Sequence, residues 1–263
     1  MTILGNIIEN KKKELSLLKK LTSISDLEKA LFFDRKVISL TENLLDKGKT
    51  GIVAEFKRKS PSRGIINSYS QVEEVTTGYF AEGASGISIL TDTQFFGGSK
   101  ADILQVREKG VFPVLRKDFI IDEYQVIESK SIGADVILLI AAILTEKEVA
   151  RFSALARSLG MEVVLEIHDP AELSKVNSHI NIIGVNNRNL KTFEVNTEIS
   201  ERLIKEIPDG FLKISESGIT SGNIIEKLRF SGYNGFLIGD KFMSSADPVM
   251  AFSEFVKGYK LKL

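Results

Sequence analysis

From residue 51 onward, eight short apolar runs stop abruptly at polar or charged residues, each followed by a helix-forming stretch. Gly51-Ile52-Val53-Ala54 runs into Glu55-Phe56-Lys57-Arg58-Lys59-Ser60-Pro61, and Pro113-Val114-Leu115-Arg116 into Lys117-Asp118-Phe119. Glu162-Val163-Val164-Leu165 ends at Glu166-Ile167-His168-Asp169, and Ile182-Ile183-Gly184-Val185 at Asn186-Asn187-Arg188. Runs of Val, Ile and Leu without polar alternation read as strands buried on both faces. Carboxylates, lysines and amides at their ends contribute nothing to such a core. They mark a mouth on which the strands converge.

The pattern predicts strands at 51–55, 86–90, 112–116, 135–140, 162–166, 181–185, 211–215 and 235–239. Helix starts fall between them. Ser70-Gln71-Val72-Glu73 and Thr145-Glu146-Lys147-Glu148 have the spacing of capping boxes, and Asp169-Pro170 and Asp247-Pro248 place an acidic N-cap before a first-turn proline. Gly83, Gly110, Gly133, Gly160 and Gly232 stand where helices should stop before the next strand. Eight units over roughly 213 residues, about 27 each, have the economy of a closed (β/α)8 TIM barrel. The competitor, an open doubly wound sheet, needs a glycine-rich fingerprint after its first strand, and here 55–60 is charged.

Residues 1–48 precede the alternation and read as helical, with Ile7, Ile8, Leu15 and Leu18 forming an apolar stripe among lysines and a second helix starting at Ser25-Asp26-Leu27-Glu28. The expectation is a single domain over 1–263, with 1–48 a helical extension capping the barrel and 51–263 the barrel itself.

The 263 residues carry 35 Lys and Arg against 35 Asp and Glu, so no global field favours nucleic acid or an anionic membrane. The absence of cysteine excludes disulfides and thiolate metal sites. The uncharged stretch 136–145 is far shorter than the roughly 20 residues a bilayer span needs. Lys11-Lys12-Lys13 follows the apolar start, the reverse of a signal peptide's charge order, so the expected location is cytoplasmic.

In a barrel of this kind the active site lies at the C-terminal ends of the strands. That rule gathers Glu55 and Lys57, Lys117, Glu166, Asn186 and Arg188, and Glu216 and Ser217 into one constellation. Each alone reads equally well as a solvated loop charge; their recurrence at the same end of most strands favours a site. Lysines and glutamates sharing a partly desolvated mouth perturb one another's pKa values, as acid–base chemistry requires. Ser215-Glu216-Ser217-Gly218 and Ile238-Gly239-Asp240 end the last two strands, where many barrels bind phosphate and glycine lets backbone N–H groups approach an oxyanion. Ser60 adds a hydroxyl from the first loop. Asp240 is an awkward neighbour for a dianion, so its side chain is expected to turn away. The segment 57–67, polar and carrying Gly64, reads as a lid. His168 follows Glu166 by two residues, yet two histidines and no cysteine make a metal cluster a poor reading.

Seven blocks now line up in order: Ala54-Glu55-Phe56-Lys57-Arg58-Lys59-Ser60-Pro61-Ser62, Leu90-Thr91-Asp92 with Phe95-Phe96-Gly97-Gly98-Ser99, Leu115-Arg116-Lys117-Asp118-Phe119, Leu165-Glu166-Ile167-His168-Asp169, Gly184-Val185-Asn186-Asn187-Arg188-Asn189-Leu190, Ser215-Glu216-Ser217-Gly218-Ile219 and Phe236-Leu237-Ile238-Gly239. By these blocks the chain resembles the indole-3-glycerol-phosphate synthase family of tryptophan biosynthesis over nearly its full length. Asn189 departs from a usual aspartate, and Asp240-Lys241 from a frequent glutamate or serine. The resemblance implies closure of 1-(2-carboxyphenylamino)-1-deoxyribulose 5-phosphate to indole-3-glycerol phosphate with loss of CO₂ and water. It implies Lys117 as leading general acid, Lys57 as carboxylate anchor and second acid, Glu166 as their acid–base partner and Glu55 as positioner. Asn186 would hold a substrate hydroxyl and Arg188 the carboxylate region; Phe119 and Leu190 would line the substrate site beside Glu216. Ser60, Ser217, Gly218, Gly239 and Asp240 would form the phosphate end, with Ser217 counted also among the catalytic set.

The resemblance implies no metal or organic cofactor, a small-molecule substrate, no nucleic-acid or membrane partner, and a monomer or weak homodimer, with other tryptophan-pathway enzymes as the protein contacts to test. Three rivals stay open: a phosphoribosylanthranilate isomerase-like barrel, a Schiff-base aldolase using Lys117, and a non-catalytic barrel that only binds a sugar phosphate.

Overall fold

The computed structural model describes residues 2–190 and 192–260. Along the chain run β1 (Ile52–Phe56), the two-residue strands β2 (Lys59–Ser60) and β3 (Gly64–Ile65), then β4 (Gly86–Leu90), β5 (Val114–Lys117), β6 (Val136–Ile140), β7 (Glu162–Ile167), β8 (Ile182–Asn186), β9 (Leu212–Glu216) and β10 (Gly235–Ile238). β2 and β3 form a small antiparallel ribbon. The other eight are parallel and close on themselves, β1 pairing with both β4 and β10. Closure excludes the open doubly wound sheet and bears out the TIM barrel, and each expected strand lies within two residues of its observed bounds.

Three helices precede the barrel: α1 (Ile3–Leu21), α2 (Ile24–Glu28) and α3 (Leu40–Leu45). Within it follow α4 (Val72–Ala81), α5 (Thr93–Phe96), α6 (Lys100–Lys109), α7 (Glu123–Ser131), α8 (Glu146–Ser158), α9 (Glu198–Leu203), α10 (Gly222–Phe230), α11 (Asp240–Met243) and α12 (Pro248–Lys260). Two apolar layers explain why the strands lack polar alternation. Val53, Leu115, Val136, Leu138, Val164, Ile182, Ile214 and Leu237 fill the barrel's interior. Ile52, Ala54, Ile87, Ile89, Ile137, Leu139, Val163 and Ile183 belong to a second layer with the helix residues Tyr79, Phe152 and Phe252.

The section before β1 serves both ends of the barrel. α1 reaches the mouth side. Its Lys11, 1% exposed, places its ammonium 3.0 Å from Asp118 and 3.2 Å from Asp92, just beyond the ends of β5 and β4. Asp118 also accepts from Thr91 at 2.6 Å and Arg116 at 3.1 Å, and its other oxygen takes the Phe119 N–H at 2.8 Å. α3 instead plugs the floor. Leu40 and Leu44 join the interior cluster, and a Cβ on Gly86 or Gly235, at the first positions of β4 and β10, would lie 2.5 Å from Leu40 or 2.6 Å from Leu44. Glu162, the first residue of β7, caps this plug by accepting the N–H groups of Leu40 at 2.9 Å and Thr41 at 3.0 Å.

Between α2 and α3 the chain runs through turns and extended backbone, so 1–48 is less helical than expected. The second helix is capped by Ser23 with Asp26, two residues earlier than Ser25 with Glu28. The box at Thr145 and Glu148 is present. The one at Ser70 is not: α4 begins after Gln71 without a side-chain cap, because buried Asn67 takes the N–H groups of Tyr69 and Ser70 and turns the chain first. Asp247 caps α12 through Met250 N–H at 2.9 Å. Asp169 and Pro170 open only a six-residue 3₁₀ turn, Pro170–Lys175, in place of a full helix. Gly83, Gly133, Gly160 and Gly232 have the positive φ of helix stops, whereas Gly110 is extended at φ −95°.

Removing Lys11 leaves Asp92 and Asp118 as buried charges missing a cation, so Lys11→Met should lower stability by about 3–5 kcal/mol. Lys12→Met, which removes an exposed pair with Glu9, should leave the urea midpoint unchanged. Equal midpoints for both variants would contradict the latch.

Candidate active site

Residues near the C-terminal ends of all eight barrel strands line one cavity of about 760 Å³. All fourteen residues nominated from the sequence line it: Glu55, Lys57, Ser60, Lys117, Phe119, Glu166, Asn186, Arg188, Leu190, Glu216, Ser217, Gly218, Gly239 and Asp240. Adjacent registers explain the gathering, since Glu166 pairs with Gly184 and Asn186 with Glu216 across neighbouring strands. Two glycines make the room. A Cβ on Gly184 would stand 2.3 Å from the Glu216 carboxylate, and one on Gly239 would stand 2.4 Å from Glu55. Both distances are far inside van der Waals contact, so these positions carry no side chain because a neighbouring acid occupies the space.

Two lysines organise the charges. The Lys117 ammonium lies 3.0 Å from Glu166 and 3.6 Å from Glu216, both carboxylates being 1% exposed. Burial works against the Lys117 charge, but Glu166, Glu216 and Glu55 outweigh it and hold its pKa above the usual lysine value. Burial likewise opposes the Glu166 charge, yet Lys117, His168 and Asn186 keep its pKa below the ordinary carboxylate value. Glu216 differs. Burial, reinforced by Glu166 and Glu55 and only partly offset by Lys117, pushes it up to about 8. Glu166 and Glu216 are thus pushed in opposite directions around one ammonium, a division that acid–base sites exploit.

Lys57 bridges Glu55 at 2.7 Å and Asp240 at 2.8 Å. Asp240 also receives Arg188 at 3.3 Å, with Arg63 at 4.0 Å. Its carboxylate therefore stays in the cavity among these cations, against the expectation that it turns away. Burial would raise the Asp240 pKa, and Lys57 with Arg188 and Arg63 brings it below the ordinary range.

Beyond β9, Ser217 and Gly218 both take left-handed backbone, φ 67° and 77°. A serine there costs on the order of 1–3 kcal/mol, held here by Asn187, whose side chain donates to the Ser217 carbonyl at 3.0 Å and to Ser215 at 3.0 Å. Gly239 lies between β10 and the single turn α11, its carbonyl accepting from the Phe242 and Met243 N–H groups at 3.0 Å each.

The segment read as a lid is folded as the β2–β3 ribbon, and Ser60, Pro61, Ser62 and Arg63 line the cavity. It is tied down at its root. Arg58 reaches both oxygens of Asp102 at 2.5 and 2.8 Å, and Lys59 donates to the Gln94 carbonyl at 2.6 Å. Apolar residues from several strand ends also line the cavity: Phe96, which lies obliquely against Phe119 at 5.9 Å, with Leu190, Phe193, Val195 and Leu237. Sequence reasoning missed Arg63, Phe96, Phe193 and Val195. Phe96 lies inside the Phe95-Phe96-Gly97-Gly98-Ser99 motif, so a sequence signal for it existed. Phe193 has φ 62° in an irregular loop, which no periodicity announces.

A closed (β/α)8 barrel with acids, ammoniums and apolar side chains gathered at the strand ends has the build of a barrel enzyme acting on a small molecule. The indole-3-glycerol phosphate synthase family profile matches residues 4–255. The indole-3-glycerol phosphate synthase of Bacteroides thetaiotaomicron is 44% identical over 255 residues, covering 97% of this chain and 98% of its own. That of Caldanaerobacter subterraneus subsp. tengcongensis is 41% identical over 256 residues, with 97% and 98% covered. Among solved structures, 3-hexulose-6-phosphate synthase from Salmonella typhimurium is similar with a TM-score of 0.63 at 13% identity, covering 81% of this chain and 100% of its own; that likeness shows the fold alone. The chain belongs to the indole-3-glycerol phosphate synthase family. Among the described residues, no helix is long and apolar enough to cross a membrane.

The Glu216 carboxyl gives a pH signature. Its folded value of about 8 lies above the ordinary 4.5, so the folded state keeps a proton that the unfolded chain has lost. Its stability advantage is full below the ordinary value and is lost as pH rises to the folded one. Glu216→Gln lacks this dependence, so its stability relative to the parent should improve across that window by up to ~1.4 kcal/mol per pH unit and level off above it. Urea titrations in a pH series measure this, and parallel curves would contradict the buried protonated state.

Proposed function

We propose that this protein is a carbon–carbon carboxy-lyase of tryptophan biosynthesis, acting in the cytoplasm. It would convert 1-(2-carboxyphenylamino)-1-deoxyribulose 5-phosphate into indole-3-glycerol phosphate, CO₂ and water. The observation that carries the reading is the Lys117 ammonium, held 3.0 Å from Glu166 at the end of an apolar-walled cavity, in a chain of this family. An ammonium there meets the first requirement of the reaction, polarisation of the ribulose carbonyl while the aromatic ring carbon attacks it.

In this reading the phosphate lies against the glycine-bearing strand ends, Ser217-Gly218 and Gly239-Asp240, with the Ser60 hydroxyl. The aromatic ring rests on Phe119 and Leu190. The carboxylate of the substrate replaces Asp240 on Lys57, with Arg188 beside it. Lys117 gives its proton to the carbonyl oxygen as the new carbon–carbon bond forms. The substrate carbonyl draws the ammonium from its two carboxylates, which relaxes the pairing that otherwise keeps it a weak acid. Loss of CO₂ then leaves its bonding electrons in the ring system. In the dehydration, the former carbonyl oxygen departs as water with a second proton, and a base removes a proton from the substrate. Glu166 is that base, and Lys57 the second acid. Glu55 holds Lys57 at 2.7 Å, while Asn186 meets a substrate hydroxyl. The atoms balance without a redox partner.

Incubation with the carboxyphenylamino ribulose phosphate, followed by indole absorbance or fluorescence, tests the reading; no indole signal overturns it. An isomerase would instead yield this compound from the phosphoribosyl amine, and an aldolase would be trapped on Lys117 by borohydride. Lys117→Ala should lower kcat by about 10²-fold or more while phosphate-end binding is retained. Lys57→Ala should raise KM with a smaller fall in kcat. Complete loss of turnover in Lys57→Ala with normal binding would reverse the two assignments.

A further inference from the structure

Behind the mouth lies a line of titratable groups that the proposed chemistry does not use. His168 stands one residue past β7, its side chain 16% exposed. Its Nε2 lies 3.5 Å from Oε1 of Glu166, and its Nδ1 lies 3.8 Å from Oε2 of Glu172 in the 3₁₀ turn. That same Glu172 oxygen accepts the His168 backbone N–H at 2.7 Å, fixing the acid over the ring. Both ring nitrogens are buried, and at these distances neither makes a hydrogen bond, so the carboxylates act on the ring through charge. A neutral imidazole has one N–H, so one of the two carboxylates would face a nitrogen lone pair; an imidazolium suits both.

The arrangement also divides the work at Glu166. Oε2 takes the Lys117 ammonium at 3.0 Å, and Oε1 is left toward His168. The groups acting on the ring are Glu166 of β7, Glu172 of the turn and Lys117 of β5, while Asn186 of β8 is the polar neighbour of Glu166. Burial works against a charged ring; Glu172 and Glu166 outweigh it, Lys117 opposes them, and the His168 pKa rises above its ordinary value.

We propose that His168, seated on Glu172, is a positioning residue whose imidazolium holds Oε1 of Glu166, keeping this acid ionised and its other oxygen on Lys117. For its kinetic consequence this rests on the reaction proposed above; the charge state of the ring does not. The chain has only two histidines, and His179 is exposed, so the imidazole resonances are readily assigned with a His179→Gln variant. In ¹⁵N spectra of histidine-labelled protein, His168 should be doubly protonated at pH 7, and Glu172→Gln should lower its midpoint. A neutral single tautomer at pH 7, or a midpoint unmoved by Glu172→Gln, overturns the proposal even in a protein without turnover.

Kinetically, His168→Gln keeps a polar side chain but no charge. The acidic limb of its kcat profile, where Glu166 gains a proton, should move up by ~1 pH unit with KM within about twofold. Glu172→Gln should move the limb the same way by less. A limb coincident with that of the unaltered enzyme, with or without a uniform drop in kcat, makes His168 merely structural and overturns the proposal. Absence of indole from the unaltered enzyme sinks the proposed reaction instead, and the spectra then decide the charge state alone.

Discussion

One ammonium, that of Lys117, sets the terms for the rest of the mouth. It stands on an apolar interior where burial works against its charge, which Glu166 at 3.0 Å and Glu216 at 3.6 Å help to uphold. Those carboxylates need space that a side chain on Gly184 would fill. Two acids beside one cation cannot both ionise at small cost, and Glu166 is accordingly pushed down while Glu216 is pushed up. The neighbouring site repeats the device: Lys57 sits between Glu55 and Asp240, with Gly239 leaving room for Glu55.

Holding Lys117 in place depends on elements far from it in sequence. The next residue, Asp118, is gripped by Lys11 from α1, by Arg116 from its own strand and by Thr91. At the opposite end, Leu40 and Leu44 of α3 close the interior on which the mouth rests. One segment thus seals the floor and latches the rim. A barrel open at the floor would admit water beneath the acids and weaken every ion pair above.

The strands and their mouth were legible because a βα barrel writes its geometry plainly. Runs buried on two faces end where charges begin, so Glu55, Lys117, Glu166 and Asn186 announced both a strand end and a site position. Other features had no such local signal. α3 spans six residues, too few for a periodic stripe, and its role comes from leucines that fit over two distant glycines. Ser25 with Glu28 had the right spacing for a cap, as did Ser23 with Asp26, and only the entering chain direction chooses between them. Asp169-Pro170 announces a helix start but not that the turn stays 3₁₀, which brings Glu172 back over His168. The union of Asp240 with Lys57 joins opposite ends of the barrel sequence, a neighbour relation that exists only once β10 meets β1.

The most direct test of the account is a crystal structure with the substrate's ketone reduced to an alcohol, so that it binds and cannot close its ring. The alcohol oxygen should lie within hydrogen-bond distance of the Lys117 ammonium. The carboxylate should lie on Lys57 with Asp240 displaced, the ring against Phe119 and Leu190, and the phosphate against Ser217-Gly218 and Gly239-Asp240. A complex with Lys117 still closed on Glu166 and Glu216, and the alcohol oxygen elsewhere, would contradict it.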